Sequence, residues 1–127
     1  MVQSPFNQVA PDYVGEEVQI GSGFGGMKPL AQHGKVVISQ GIFTLYGTQG
    51  DVIDSAPLSS VELKKILVTM GQSVWAILNG KKYSISVGHG ALQMGVISAS
   101  PTAQMGMSIA GTKQLIEAFE ALTGRKV

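Results

Sequence analysis

Val74-Trp75-Ala76-Ile77-Leu78-Asn79-Gly80-Lys81-Lys82-Tyr83-Ser84-Ile85-Ser86-Val87 is the stretch whose reading decides the fold. Asn79-Gly80 tolerates positive φ at both central positions of a type I′ turn, so the runs on either side read as a β-hairpin with a two-residue loop. Loop length then sets register. Leu78 faces Lys81, Ala76 faces Tyr83, and Val74 faces Ile85. One face collects Val74, Ala76, Leu78, Tyr83, Ile85 and Val87, an apolar set suited to a core. The other collects Trp75, Ile77, Lys82, Ser84 and Ser86. The only tryptophan of the chain therefore falls on the outer face.

A second hairpin lies upstream. Val36 and Ile38 alternate with polar residues, Gln40-Gly41 supplies a two-residue turn, and Phe43 and Leu45 return. Ile38 then faces Phe43 and Val36 faces Leu45, again on one face. Val37, Ser39, Ile42, Thr44 and Tyr46 take the other. Thr48 to Asp51 reads as a turn, Val52 to Asp54 as a short strand, and Pro57 confines the chain around it to an edge or loop. Residues 61–70 read as a longer strand whose phase flips at Lys64-Lys65, as a bulge or bend would cause. A short helical start at Ser59 or Ser60 is the alternative.

The ends are read from weaker signals. Residues 1–17 carry Pro5 and Pro11 and few periodic apolar positions, so they read as an extended arm, with Phe6, Val9, Tyr13 and Val14 able to dock. Residues 18–20 form a short strand. Residues 21–34 read as a Gly-rich loop, with Pro29 excluding a long helix. The 88–107 stretch is rich in Gly and Met, with a strand expected at 96–99. Leu115, Ile116, Phe119 and Leu122 recur near the helical period, which predicts a helix over about 109–123. Ser108 or Thr112 caps its start, Lys113 and Glu117 are spaced to pair, and Gly124 suits its end, with Arg125 and Lys126 favouring the negative pole. The expected organisation is an arm (1–17) and one β-rich domain (18–127).

Composition bounds function. The chain has 127 residues, a usual size for one domain, and no cysteine, which excludes disulfides, thiolate metal sites and thiol nucleophiles. That fits a reducing, cytoplasmic setting. A formal charge of +1 lacks the basic field that nucleic-acid binding needs. Charged residues are only 13%, so the surface is weakly hydrated, which reads equally as one partly covered by a partner or a second copy and as that of a low-charge monomer. The first twelve residues do not read as a secretory signal, and no run approaches the roughly 20 apolar residues of a membrane span.

The pattern of Lys35-Val-Val-Ile-Ser-Gln-Gly-Ile-Phe-Thr-Leu-Tyr46, Ala56-Pro-Leu-Ser-Ser-Val61 and Asn79-Gly-Lys-Lys-Tyr-Ser-Ile85, with the closing helix, resembles the pleckstrin-homology-like superfold in its bacterial or GRAM-type versions. The resemblance covers somewhat over half the chain. It implies a bent antiparallel sheet, or partly open barrel, of about seven strands plugged at one end by the helix. It also implies a non-catalytic binder of lipid head groups, peptides or proteins. Lipid-binding members place basic residues around the first hairpin loop. Here that turn reads as Gln40-Gly41, with Lys35 the nearest cation of the hairpin, so anionic lipid is the weaker partner.

Motifs of enzymes and metal sites are absent in their working contexts. Gly21-Ser22-Gly23-Phe24-Gly25-Gly26 has the spacing G-x-G-x-x-G but no following helix, so it reads as a loop. His33 and His89, the only histidines, have no carboxylate beside them in sequence and read as loop residues. No serine sits in a G-x-S-x-G elbow. Asp51 and Asp54 read as solvated turn residues. The methionines (Met70, Met94, Met105, Met107) read mainly as core filler. No catalytic residue, metal ligand or cofactor site is therefore assigned.

The candidate binding residues are Trp75, Ile77, Lys82, Lys64 and Lys65. The lysines form a basic patch across neighbouring strands, and an outer-face tryptophan needs cover from the arm, from 88–107, or from a partner. The functional expectation is a binding module for a protein or an amphipathic, lipid-like ligand. The alternative is a self-assembling structural subunit using the arm and the Gly/Met-rich loops.

Overall fold

The computed structural model of the protein describes residues 10–23, 28–66, 69, 71–88 and 101–127, with the backbone alone for 101–108. The strands are β1 (Tyr13–Ser22), β2 (Lys28–Ser39), β3 (Ile42–Tyr46), β4 (Val52–Pro57), β5 (Glu62–Lys65), β6 (Val74–Leu78) and β7 (Lys81–Ser86). A 3₁₀ turn spans Leu58–Ser60, and helix α1 spans Pro101–Thr123. The seven strands form one antiparallel sheet in the order β4-β3-β2-β1-β7-β6-β5, and it does not close. β4 and β5 are its edges.

Both tight hairpins have the expected register. Val36 pairs with Leu45 and Ile38 with Phe43. Val74 pairs with Ile85, Trp75 with Ser84, Ala76 with Tyr83, and Leu78 with Lys81. Gln40 and Asn79 hold φ of 51° and 52° and their glycines 76° and 78°, the paired left-handed conformations of type I′ turns. The inward side chains merge into one core with Val18, Ile20, Val61 and Leu63, all buried.

Three expectations are corrected. Tyr13–Glu17 belongs to β1 and is not part of an arm, and residues 28–34 belong to β2 and not to a loop. The reason is a double phase change. Gly15 points inward, and so does Val18, because Glu17 is an extra residue at φ 54° between paired Glu16–Lys35 and Val18–Gly34. Across the ladder, Ala31 and Gly34 both face inward, three residues apart, so β2 holds an extra residue as well. Simple alternation fails in both strands. The bulged N–H groups of Gln32 and His33 are not orphaned: both donate to Thr48 Oγ1, at 3.2 and 3.1 Å.

The second correction concerns the 61–70 strand, which ends at Lys65. There the chain leaves the sheet through turns closed by Ile66 N–H to the Ser73 carbonyl and Thr69 N–H to the Ile66 carbonyl. The helical alternative is realised one step earlier, at Leu58–Ser60. In contrast β4 runs further than expected, to Pro57, on an edge where a missing N–H costs nothing.

The third concerns α1, which begins at Pro101 and not near 109. Proline is favoured at the first turn of a helix, where its missing N–H has no intrahelical partner to lose. Ser108 and Thr112 lie inside the helix and not at its start. Leu115 and Phe119 are buried as expected, whereas Leu122 is 43% exposed. Gly124 at φ 72° ends the helix, its N–H bonded to the Glu120 carbonyl. Lys113 and Glu117 form no ion pair; Glu120 instead approaches Lys126 at 4.0 Å. Arg125 turns away from the helix pole and donates to the Leu58 and Val61 carbonyls at 3.1 and 3.0 Å. The strand expected at 96–99, together with Phe6, Val9, Met70, Met94 and His89, lies outside the described residues.

Thr112 docks the helix. Its hydroxyl donates to the Gln72 carbonyl at 2.8 Å and accepts from the Val87 N–H at 3.2 Å, and the side chain is fully buried. Beside it Gly111 lies against the Val87 carbonyl so closely that any Cβ would force the two backbones apart. Thr112→Val keeps the shape but strands the buried Val87 N–H and the part-buried Gln72 carbonyl. It is expected to cost about 1–3 kcal/mol, read as a lower urea midpoint with an unchanged m-value.

Candidate recognition surface

The outer face of β5, β6 and β7 carries most of the residues singled out from sequence. Register alone places them. Lys64 stands opposite Trp75 and Glu62 opposite Ile77 across β5–β6, while Ile77 stands opposite Lys82 and Trp75 opposite Ser84 across β6–β7. Lys82 leans over the indole, its Nζ 4.7 Å from the ring centroid. Trp75 is half-buried, and this lysine stem is one part of its cover. The segments expected to cover it, residues 1–9 and 89–100, are outside the described residues. Lys65 is not part of this face. It pairs with Val74, has the opposite parity, and lies near Lys113 and Glu117 of α1.

The two sheet edges differ. On β4, Ser55 is capped on both backbone groups: its N–H donates to Asp54 Oδ1 at 2.8 Å, and its carbonyl accepts from Asn79 Nδ2 at 2.9 Å. Pro57 removes a further donor. On β5, among the described residues, no side chain takes the backbone groups of Glu62 to Lys65. An uncapped edge is a template for pairing with another strand. Here it adjoins the Trp75 face.

Asp54 anchors a polar pin across the open side of the sheet. Its carboxylate accepts from the Tyr83 hydroxyl at 2.6 Å and from Asn79 Nδ2 at 2.8 Å. It is thus not the solvated turn residue expected from its neighbours. Burial raises the Asp54 carboxyl. Hydrogen bonds from Tyr83, the Ser55 N–H and Asn79, with the Lys81 charge, outweigh burial and hold it below its ordinary 3.8. Burial, then the Asp54 hydrogen bond and charge, push the Tyr83 phenol up to about 12. Tyr13 also rises to about 12, from burial alone. Both phenols stay protonated near neutrality, so Tyr83 donates and does not act as a base.

His33 is the residue that sequence reasoning missed. It lies in β2, not in a loop, and its Nδ1 meets Glu17 Oε1 at 2.7 Å. The two are sixteen residues apart, and only the paired bulges bring them together. The pair flanks a hollow that His33 itself lines with Glu16, Lys35, Tyr46 and Thr48. A carboxylate on one ring nitrogen orients an imidazole, but no nucleophile or third ligand joins it: no group of three potential metal-binding His, Cys, Asp or Glu residues occurs among the described residues. The pair is half-exposed and serves to tie two bulges together.

Of the G-x-G-x-x-G run, Gly21 and Ser22 end β1, and the described chain resumes as a strand at Lys28, so no helix follows the glycines. β1 and β2 also pair as an antiparallel hairpin ahead of the Gln40-Gly41 turn, and the first described cation after β1 is Lys28, at the start of β2. No helix of the described residues is long and apolar enough to cross a membrane. No protein-family model matches the chain, and a search of curated proteins finds no match.

The Asp54 pin has a pH signature. A depressed folded-state pKa adds stability that is present above the unfolded value and lost as pH falls through the folded value. Wild type is expected to exceed Asp54→Asn in urea midpoint at neutral pH. The gap narrows below 3.8 as the Asp54 carboxylate takes up its proton. Paired urea titrations at neutral and acid pH measure it.

Proposed function

We propose that this chain is a non-catalytic binding module that recognises a protein segment through the outer face of β5–β7. A single observation carries the reading: a half-buried tryptophan, flanked by Lys64 and Lys82 and by the apolar Ile77, stands beside an uncapped strand edge. An indole supplies a large rigid contact area, and the lysines set which charge the partner presents. The seven-stranded bent sheet with one closing helix supports the pleckstrin-homology-like resemblance, and with it a binder and not an enzyme. Lys28, at the start of β2, keeps anionic head groups as the alternative ligand.

Trp75→Ala is the decisive variant. Its fold is expected to persist, because the core face of β6 is untouched. Its affinity for the partner is expected to fall about tenfold or more, the loss seen for a central aromatic anchor. Pull-down from the native source with wild type and Trp75→Ala side by side checks this: a specific co-purifying protein retained by wild type and lost by the variant supports it. Equal retention removes this face from the function. Flotation with anionic vesicles separates the lipid alternative.

A further inference from the structure

We propose that the β5 edge pairs with the β5 edge of a second copy, antiparallel, about a two-fold axis through Leu63. This builds on the reading of β5–β7 as a recognition surface and commits its edge to one occupant. Three observations converge. First, the sheet has two edges that differ: β4 is capped at Ser55 from both sides and ends in Pro57, whereas among the described residues no side chain caps Glu62 to Lys65. Second, Arg125 takes the Val61 carbonyl and so fixes where the free edge begins.

Third, the sequence of the edge is complementary to itself in one register. Residues directly opposite in an antiparallel ladder share a face. Glu62 and Lys64 are both exposed on the outer face, and Leu63 between them points inward. An axis through Leu63 sets Glu62 of each copy against Lys64 of the other, two opposite-charge pairs made by one symmetry operation. An axis through Lys64 would set lysine against lysine, and like charges opposite one another are destabilising. Charge therefore selects the register.

The consequence is a fourteen-stranded sheet built from two seven-stranded ones. Across it runs a row Trp75, Lys64, Glu62 of the second copy, Ile77 of the second copy, and beside it the same row reversed. The two indoles lie on one surface, three strand spacings or about 14 Å apart across the strands. A partner would meet a palindromic platform. Because the paired edge is short, the association is weak and needs a high concentration to show.

Sedimentation of the whole chain over a concentration series into the millimolar range tests this. Wild type is expected to pass from monomer to dimer. Glu62→Lys and Lys64→Glu, both at exposed positions, are each expected to weaken association about tenfold, since two attractive pairs become two repulsive ones. The double exchange Glu62→Lys with Lys64→Glu swaps both partners and is expected to restore it. In the cysteine-free background, Glu62→Cys with Lys64→Cys is expected to give an oxidant-linked dimer. A wild type that stays monomeric throughout overturns the proposal, as does a double exchange that fails to recover. If such a monomer still captures a partner through Trp75, the recognition reading stands alone.

Discussion

The extra residue at Glu17 is the constraint on which the sheet depends. β1 is the strand that joins the two halves: it pairs with β2 along most of its length and with β7 over Gln19–Ser22. To serve both, it must turn its apolar side from Gly15 to Val18, which a regular alternation forbids. One residue held at φ 54° makes that turn possible, and the bulged strand bends as it does so. Glutamate is not favoured in that conformation. Its carboxylate gains the His33 ring in return, and Thr48 satisfies the N–H groups freed across the ladder. Curvature of the sheet, the inward placement of Val18 and Ile20, and the seat of the helix all depend on that local departure.

The helix closes what the curved sheet leaves open. Among its described side chains, Leu115 and Phe119 are the fully buried apolar pair, and Ile116 is only partly covered. Specific contacts complete the seal. Gly111 permits backbone-to-backbone approach at Val87, Thr112 bonds two separate segments, and Arg125 reaches past the helix end to the 3₁₀ turn. Burial gives the helix a reason to dock, and these polar contacts fix where along the sheet it stops.

Legibility in the sequence tracks regularity of the ladder. The hairpins at Gln40-Gly41 and Asn79-Gly80 are two-residue turns between uninterrupted alternations, so turn type and parity determine register, and Trp75, Ile77 and Lys82 fall on the predicted face. β1 and its half of β2 are not legible, because bulges change phase within each strand and Pro29 lies in a strand where it mimics a loop. Lys65 reads together with Lys64 as one basic pair, although adjacent residues of a strand face opposite ways. The helix start is hidden because its first turns lack the apolar stripe that marks the rest. His33 and Glu17 give no signal at all, since their meeting depends on irregularities that alternation does not encode. The contrast between the two edges among the described residues is likewise a property of three-dimensional neighbours: Ser55 looks no different from any other exposed strand residue until Asn79 is placed beside it.

Asn79 illustrates how little freedom such an arrangement leaves. It holds left-handed backbone in the turn, and its amide nitrogen reaches both Asp54 and the Ser55 carbonyl. Glycine meets the backbone demand but has no amide to offer. Aspartate tolerates the conformation yet would bring a second negative charge to Asp54. Among the residues at ease with positive φ, asparagine alone satisfies both demands, so a position that looks like an ordinary turn residue admits almost no substitute.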